Sequence, residues 1–298
     1  MVAARSGTLT FLPFATSREP NRPETLGRVP EPTVITSPAN PRVKALGTLR
    51  RRRVREERRR TLVEGYEELG LALDAGVVPE ELYYCPELMG EQARAAGLVE
   101  RVGALGTEVV QLSRAAFEKA AYREGPDGFL AVVATVDRRC ADLDVPEGAL
   151  LLVCQGVEKP GNLGAMLRTA DAAGVDAVIA ADPVTDWGNP NTVRASKGTV
   201  FSVPVASDDT ATVVAWLEER GIELVATTPD TDTEHTDLDY TGGVAIAVGT
   251  EKTGLTDEVL DGAGHRVRIP MVGRANSLNV ATSAAIVVYE AVRQRRAR

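Results

Sequence analysis

The chain has 298 residues, 44% of them hydrophobic, a length and apolar content that predict two packed domains rather than one. Its cysteines, Cys85, Cys140 and Cys154, form no close pair or Cys/His cluster. That excludes a disulfide framework, a zinc knuckle and a thiol redox motif, and predicts a reducing, cytoplasmic setting with no bound metal. The net charge is -8, but arginines crowd the segment Arg50 to Arg60 while acids gather at Asp230, Asp232, Glu234, Asp237 and Asp239, so a local basic surface for RNA is not excluded.

No apolar run approaches the roughly 20 residues needed to span a bilayer, which predicts a soluble protein without membrane contact. Residues 1–32 scatter Pro, Arg, Glu, Ser and Thr without periodicity and read as a mobile N-terminal tail. From Val43 onward, Leu46, Leu49 and Val54 mark the apolar side of one helix running through the arginines. Leu62-Val63-Glu64-Gly65 reads as a strand stopped by glycine. There follow a helix over 66–75, a strand over 81–85, a helix from Glu91, a strand around Val109 and Val110, a helix from Arg114 and a strand over 129–136. This alternation over residues 33–136 predicts a small α/β domain, and polar residues 137–148, with Pro146 and Gly148, read as a linker.

The second half, 149–298, repeats a parallel-sheet pattern. Strands are expected at 150–154, 177–181, 200–205, 223–226, 244–248 and 267–269, with helices at 163–173, 211–220 and 278–295. A doubly wound sheet with ligand loops at the carboxyl ends of its strands follows from that pattern.

Three loops after strands stand out. In the first, Asn162 is placed to cap a helix that carries Arg168 nearly two turns on, a rise of about 9 Å. Taken alone it is a cap followed by a surface arginine. In the second, Gly249 and Gly254 border a loop around Glu251 and allow close backbone approach, although an ordinary strand-to-helix turn has the same look. The third runs from Ile269-Pro270-Met271 through Asn276-Ser277-Leu278-Asn279-Val280 into a run of small residues. Asn276 or Ser277 suits a helix cap there, while Asn279 and the small residues need another explanation.

Together and in order, the three clusters resemble the motifs of the SpoU/TrmH branch of the SPOUT methyltransferases: Asn-x-Gly-x-x-x-Arg at 162–168, Gly-x-Glu-x-x-Gly-Leu at 249–255 and Asn-Ser-Leu-Asn-Val at 276–280. The resemblance covers about 150–295, and residues 33–136 look like the family's L30e-like RNA-binding domain. It implies a parallel sheet threaded by a trefoil knot, a homodimer, and bound S-adenosylmethionine. Pattern alone never proposes a knot. The cofactor residues implied are Thr227, Thr228, Val248, Gly249, Glu251, Ile269, Met271, Ser277, Leu278 and Ala281.

The implied reaction is methyl transfer to a ribose 2′-hydroxyl of RNA, which requires in-line positioning and removal of a proton. Arg168 matches the family's catalytic arginine, with Asn162, Glu251, Ser277 and Asn279 orienting it and the ribose. A guanidinium holds its proton tightly, so polarising the hydroxyl or clamping the adjacent phosphate stays open beside a role as base. His235 and His265 fall outside the motifs. Arg42, Lys44, Arg51, Arg52, Arg55 and Arg59 are the candidate RNA contacts.

A nicotinamide dehydrogenase or a Rossmann methyltransferase would place GxGxxG after the first strand of the second half, where Val157-Glu158-Lys159-Pro160-Gly161 stands instead. A non-catalytic RNA-binding module leaves the motif set unexplained. The two-part layout and Ser37-Pro38-Ala39-Asn40-Pro41-Arg42-Val43-Lys44 look more like the large-subunit ribosomal RNA enzymes of the family than its tRNA enzymes. The composition is also similar to antibiotic-producer resistance methyltransferases of the thiostrepton and avilamycin type.

Overall fold

The computed structural model describes residues 33–250 and 252–297; the segment read as a tail, 1–32, and the motif residue Glu251 lie outside the described residues. The first half runs β1 (Thr33–Ile35), α1 (Pro41–Thr48), α2 (Arg52–Arg58), β2 (Arg60–Glu64), α3 (Tyr66–Asp74), β3 (Glu81–Tyr84), α4 (Gln92–Gly103), β4 (Glu108–Leu112), α5 (Arg114–Ala120) and β5 (Phe129–Ala134). Its sheet has the order β1-β4-β3-β5-β2, with β1, β4 and β3 parallel and β5 antiparallel to both its neighbours.

One helix was expected through the arginines, and two form. Asn40 caps α1 by accepting from the Arg42 amide at 2.8 Å, with Pro41 in the first turn. The chain then breaks at Arg51, which is extended, before α2 begins, and Arg59 ends α2 in the left-handed region at φ 53°.

The second half runs β6 (Leu150–Gln155), α6 (Pro160–Ala173), β7 (Ala177–Ala181), α7 (Pro190–Ala195), β8 (Val205–Asp208), α8 (Thr210–Glu219), β9 (Glu223–Thr227), β10 (Val244–Val248), α9 (Asp257–Gly262), β11 (His265–Val267) and α10 (Val280–Arg296). Its strands are all parallel, in the order β11-β9-β10-β6-β7-β8. Both faces are covered, as continuous apolar strands require. Leu150, Leu152 and Cys154 of β6 pack with Val280, Ala284 and Val287 of α10 and with Met166 of α6. The alternate residues Leu151 and Val153 pack with Val213 and Trp216 of α8 and Val259 of α9. A Leu or Ile buried this fully contributes about 1.5–3 kcal/mol relative to exposure.

Several expected boundaries move. The strand expected at 200–205 is a 3-10 turn, Thr199–Phe201, and pairing begins only at Val205. The strand expected at 267–269 lies at His265–Val267, its register set by β9. Sequence reading passed over β1, α7 and α9, which have three to six residues each and are too short to show a period. Within 137–148, Cys140 and Leu143 are buried, and the Asp208 carboxylate accepts from the Cys140 amide at 2.7 Å.

The segment 183–198 docks against the first half. Arg55, only 2% exposed, donates through Nε to Asp186 at 3.0 Å, pairs with the same carboxylate through Nη2, and donates to the carbonyls of Leu49 and Arg50 at 2.9 Å. Thr61 donates to the Gly188 carbonyl, and Arg52 donates to the carbonyls of Pro183 and Val184 at 2.9 Å. Gly198 adopts φ +85° against Glu68, where a side chain would be strained.

At the far end of the chain, Arg295 donates to the carbonyls of Tyr240, Gly148, Ala149 and Gly242, and Gln294 bonds the Tyr240 amide and the Leu238 carbonyl. These contacts fasten α10 to the segments before β6 and β10.

Removing one member of a buried ion pair strands the other. Arg55→Ala should therefore cost about 3–5 kcal/mol in urea denaturation; a loss below about 1 kcal/mol would show that Asp186 regains water.

Candidate active site

Strand order alone places a site. From β6 the chain adds β7 and β8 on one side, then crosses to build β9, β10 and β11 on the other, so the order reverses between β6 and β10. The carboxyl ends flanking such a reversal open a crevice. Here Cys154 stands opposite Val248, so the loops beginning at Gly156 and Gly249 leave the sheet side by side.

The second motif folds into a tight turn. Thr250 and Gly254 exchange backbone hydrogen bonds of 3.0 and 3.1 Å, the Thr250 hydroxyl accepts from the Thr253 amide at 3.0 Å, and Gly254 takes φ +69°. A Cβ on Gly249 would overlap the Gly254 peptide, so this loop closes only with glycine there.

Gln155, which sequence reading passed over, anchors the loop's return. It is 3% exposed, accepts from the Thr256 amide at 2.9 Å, and donates to the hydroxyls of Thr210 and Thr256 at 2.8 and 2.7 Å. Its only signal in the sequence is a polar residue ending an apolar run.

The first motif sits on α6, but Asn162 is not the cap. The helix starts earlier, after Lys159, because Pro160 suits the first turn. Freed from capping, Asn162 accepts from the Asn279 side chain at 3.1 Å. Asn279, rather than Asn276 or Ser277, caps α10, its Oδ1 accepting from the Ala281 amide at 3.0 Å. One asparagine thus begins the last helix and reaches the first motif. Gly164 has a separate reason: a Cβ there would lie 2.5 Å from the Ala195 Cβ, so its absence lets α6 press against α7. Arg168 is exposed and has no ion-pair or hydrogen-bond partner among the described residues.

A cleft lined by Val157, Glu158, Lys159, Asn162, Thr250, Lys252 and Val280 joins the three motifs. Of the expected cofactor residues, Thr227 ends β9 and Thr228 follows it, Val248 ends β10 and Gly249 follows it, and Ile269 and Met271 follow β11, so adjacent strands bring them to one end of the sheet. The Thr227 hydroxyl is buried without a hydrogen-bond partner, a group that a bound polar ligand would satisfy. Ala281 is buried in the first turn of α10, whereas Ser277 and Leu278 lie exposed before it.

The basic candidates separate. Arg55 is sealed in its ion pair and is withdrawn as an RNA contact, because its donors are spent inside the protein. Arg42 forks onto Glu108 at 2.7 and 2.8 Å and also meets Tyr83; these acceptors hold its pKa above the ordinary value. Arg52 is engaged with Glu56 and the carbonyls after β7, and Arg59 reaches the Asp137 carbonyl at 3.4 Å. Lys44 and Arg51 are exposed, with neither an ion pair nor a side-chain hydrogen bond among the described residues.

The cap made by Asn279 can be separated from its bond to Asn162. Asn279→Asp should keep the cap and leave stability within about 0.5 kcal/mol, while Asn279→Ala should lose about 1 kcal/mol in urea denaturation. Equal losses for the two variants would show that the bond to Asn162 outweighs the cap.

Comparison with known proteins agrees with this arrangement. The SpoU rRNA Methylase family matches residues 149–289, and the MRM3-like substrate binding domain matches residues 40–131. The chain is 30% identical over 255 residues to the 23S rRNA (guanosine(2553)-2'-O)-methyltransferase RlmP of Bacillus subtilis (strain 168), covering 86% of this chain and 97% of that protein. An AdoMet-bound rRNA methyltransferase from Sinorhizobium meliloti superposes with a TM-score of 0.80 at 31% identity, covering 88% of this chain and 97% of that one. The SpoU methyltransferase AviRb from Streptomyces viridochromogenes, in complex with AdoMet, gives a TM-score of 0.78 at 30% identity over 86% of this chain and 98% of that one. Matched at that identity over nearly the whole of a known member, the chain belongs to the SpoU rRNA methylase family.

Proposed function

We propose that this protein methylates a ribose 2′-hydroxyl of large-subunit ribosomal RNA, using S-adenosylmethionine held at the carboxyl ends of β9, β10 and β11. The observation that carries the reading is the Asn162–Asn279 hydrogen bond, which ties the first and third motifs together beside the glycine turn of the second. RlmP, whose name states 23S ribosomal RNA, supports that substrate through the nearly full-length match.

The bound cofactor supplies an electrophilic sulfonium methyl group. The rest falls to the chain. Gly249 lets the chain return against Gly254 and close the second motif beside the cleft, and Thr227 supplies a hydroxyl awaiting a partner. Asn162, Asn279 and Ser277 orient the ribose, and Glu251 shares that task through its place in the second motif. Arg168, unencumbered by a carboxylate, donates to the ribose oxygen or its neighbouring phosphate. That lowers the cost of losing the hydroxyl proton, which passes to water, as the oxygen takes the methyl group and the methyl–sulfur bond breaks.

The proposed division is an L30e-like RNA-binding domain at 33–136, a connection at 137–148 and a catalytic domain at 149–298 whose C-terminal segment passes through a trefoil knot. A homodimer of catalytic domains fits the apolar side chains left in water near α10: Val272 is 99% exposed and Tyr289 47%. No helix among the described residues is long and apolar enough to cross a membrane, and the three cysteines are free and buried, which suits action in the reducing cytoplasm.

Transfer of labelled methyl from S-adenosylmethionine to unmodified ribosomal RNA tests the function. Arg168→Ala should abolish it while calorimetric cofactor affinity stays within about threefold, and Arg168→Lys should remain poor because lysine lacks the planar fork. Cofactor affinity falling in step with activity would move Arg168 to the cofactor site.

A further inference from the structure

We infer that Arg194 is a second contact for the RNA backbone, placed on the catalytic half but oriented by the first half through Asn191 and Tyr122. The inference rests on the RNA-methylation reading and adds to it a residue outside the three motifs.

Arg194 is exposed on α7 and has no carboxylate partner among the described residues. One guanidinium donor is used, Nη2 to the Asn191 side-chain carbonyl at 3.1 Å. A guanidinium has five donors, so four remain available for an anion. Asn191 is itself fixed at both ends. Its backbone amide donates to the Asn189 cap at 2.9 Å, and its Nδ2 donates to the Tyr122 hydroxyl at 2.9 Å.

Tyr122 belongs to the first half and does not wander. Its backbone amide donates to the buried Glu64 carboxylate at 2.7 Å, and Arg50 lies over its ring at 5.8 Å while bonding the Ala120 carbonyl at 3.3 Å. Burial of Glu64 raises its pKa, although the bond from Tyr122 works in the opposite direction. A chain of contacts therefore runs from the RNA-docking half into α7 and ends on a guanidinium with spare donors.

The same helix touches the catalytic motif. Ala195, next to Arg194, fills the space left by Gly164. Gly164 and Arg168 are four residues apart, so they share the face of α6 turned toward α7. Two arginines without carboxylate partners are thereby carried on a packed helix pair. Several surface arginines in the first half, such as Arg42, Arg53 and Arg60, are each neutralised by a nearby glutamate. An uncompensated guanidinium held by a neutral amide suits a phosphate, which it can meet with two parallel donors. Placed here, it sets where the RNA strand lies as its target ribose reaches Arg168.

The test uses the full chain and an unmodified large-subunit ribosomal RNA transcript. RNA affinity is read by fluorescence anisotropy across a salt series, methylation by kcat and KM, and cofactor affinity by calorimetry. Arg194→Gln should weaken RNA binding and raise the RNA KM by about tenfold, with kcat and cofactor affinity within about twofold. It should also lower the salt slope by about 0.7–0.9, the effect of one lost phosphate contact. Arg194→Lys should recover part of the affinity and all of the slope, since the charge is restored, which a merely structural role would not produce. Tyr122→Phe, which removes only the acceptor for Asn191, should raise KM by about threefold and leave the slope unchanged, marking it as a positioning residue. An RNA affinity and slope unaltered in Arg194→Gln, or a fall in kcat alone, would overturn the proposal. If the parent binds RNA but transfers no methyl group, the functional reading fails, while the anisotropy series still decides whether Arg194 meets phosphate.

Discussion

In the parallel pairing of β10 with β6, Val248 stands opposite Cys154, and from that register two loops leave the sheet together. A shift of one residue would send Gln155 to the wrong face, because side chains alternate along a strand. With the register held, Gln155 reaches Thr256, and the returning chain must pass so close to Gly249 that a Cβ would overlap Gly254. Gly156 meets the same limit, where a Cβ would come within 3.1 Å of the Thr250 methyl. Gly156 and Gly249 are therefore consequences of two strands lying side by side, and the cleft between the motifs follows from the same pairing.

The first motif depends on a second close approach. Gly164 allows α6 to lie against α7, and α7 is bound to the first half through Asn191 and through the turn at Gly198. The helix carrying Arg168 is thus oriented by contacts that extend beyond its own sheet. The buried Arg55–Asp186 pair fixes the neighbouring segment. Such a pair is costly to desolvate and contributes little net stability, but its strict geometry defines one docking of the loop. A ligand bound to the first half would meet Arg168 in one fixed relation.

Much of this was legible from sequence because long apolar runs and motif spacing carry over directly into structure. The strands Ala177–Ala181 and Val244–Val248 have the expected bounds, and the three motifs do meet. What failed was local competition between neighbours. Asn162 looked like a cap until Pro160 claimed the first turn, and Asn276 and Ser277 looked like caps until Asn279 did so. The role of α7 was hidden because six residues show no period, although Asn189-Pro190 is a start signal in its own right. The basic run misled in another way: charge counts do not reveal that Arg55 faces inward and Arg52 bonds carbonyls. Only the fold separates arginines that hold the protein together from those left for a ligand.

The chemistry of RNA cleavage tells a methyl group on the ribose oxygen from one on a base. Alkali cuts RNA by attack of a free 2′-hydroxyl on the adjacent phosphate, and methylation of that hydroxyl blocks the cut. Unmodified large-subunit ribosomal RNA would be labelled with methyl-tritiated S-adenosylmethionine by this protein and then hydrolysed completely in alkali. The account predicts that the label is recovered in alkali-resistant dinucleotides. Label in mononucleotides would place the methyl group on a base and contradict it.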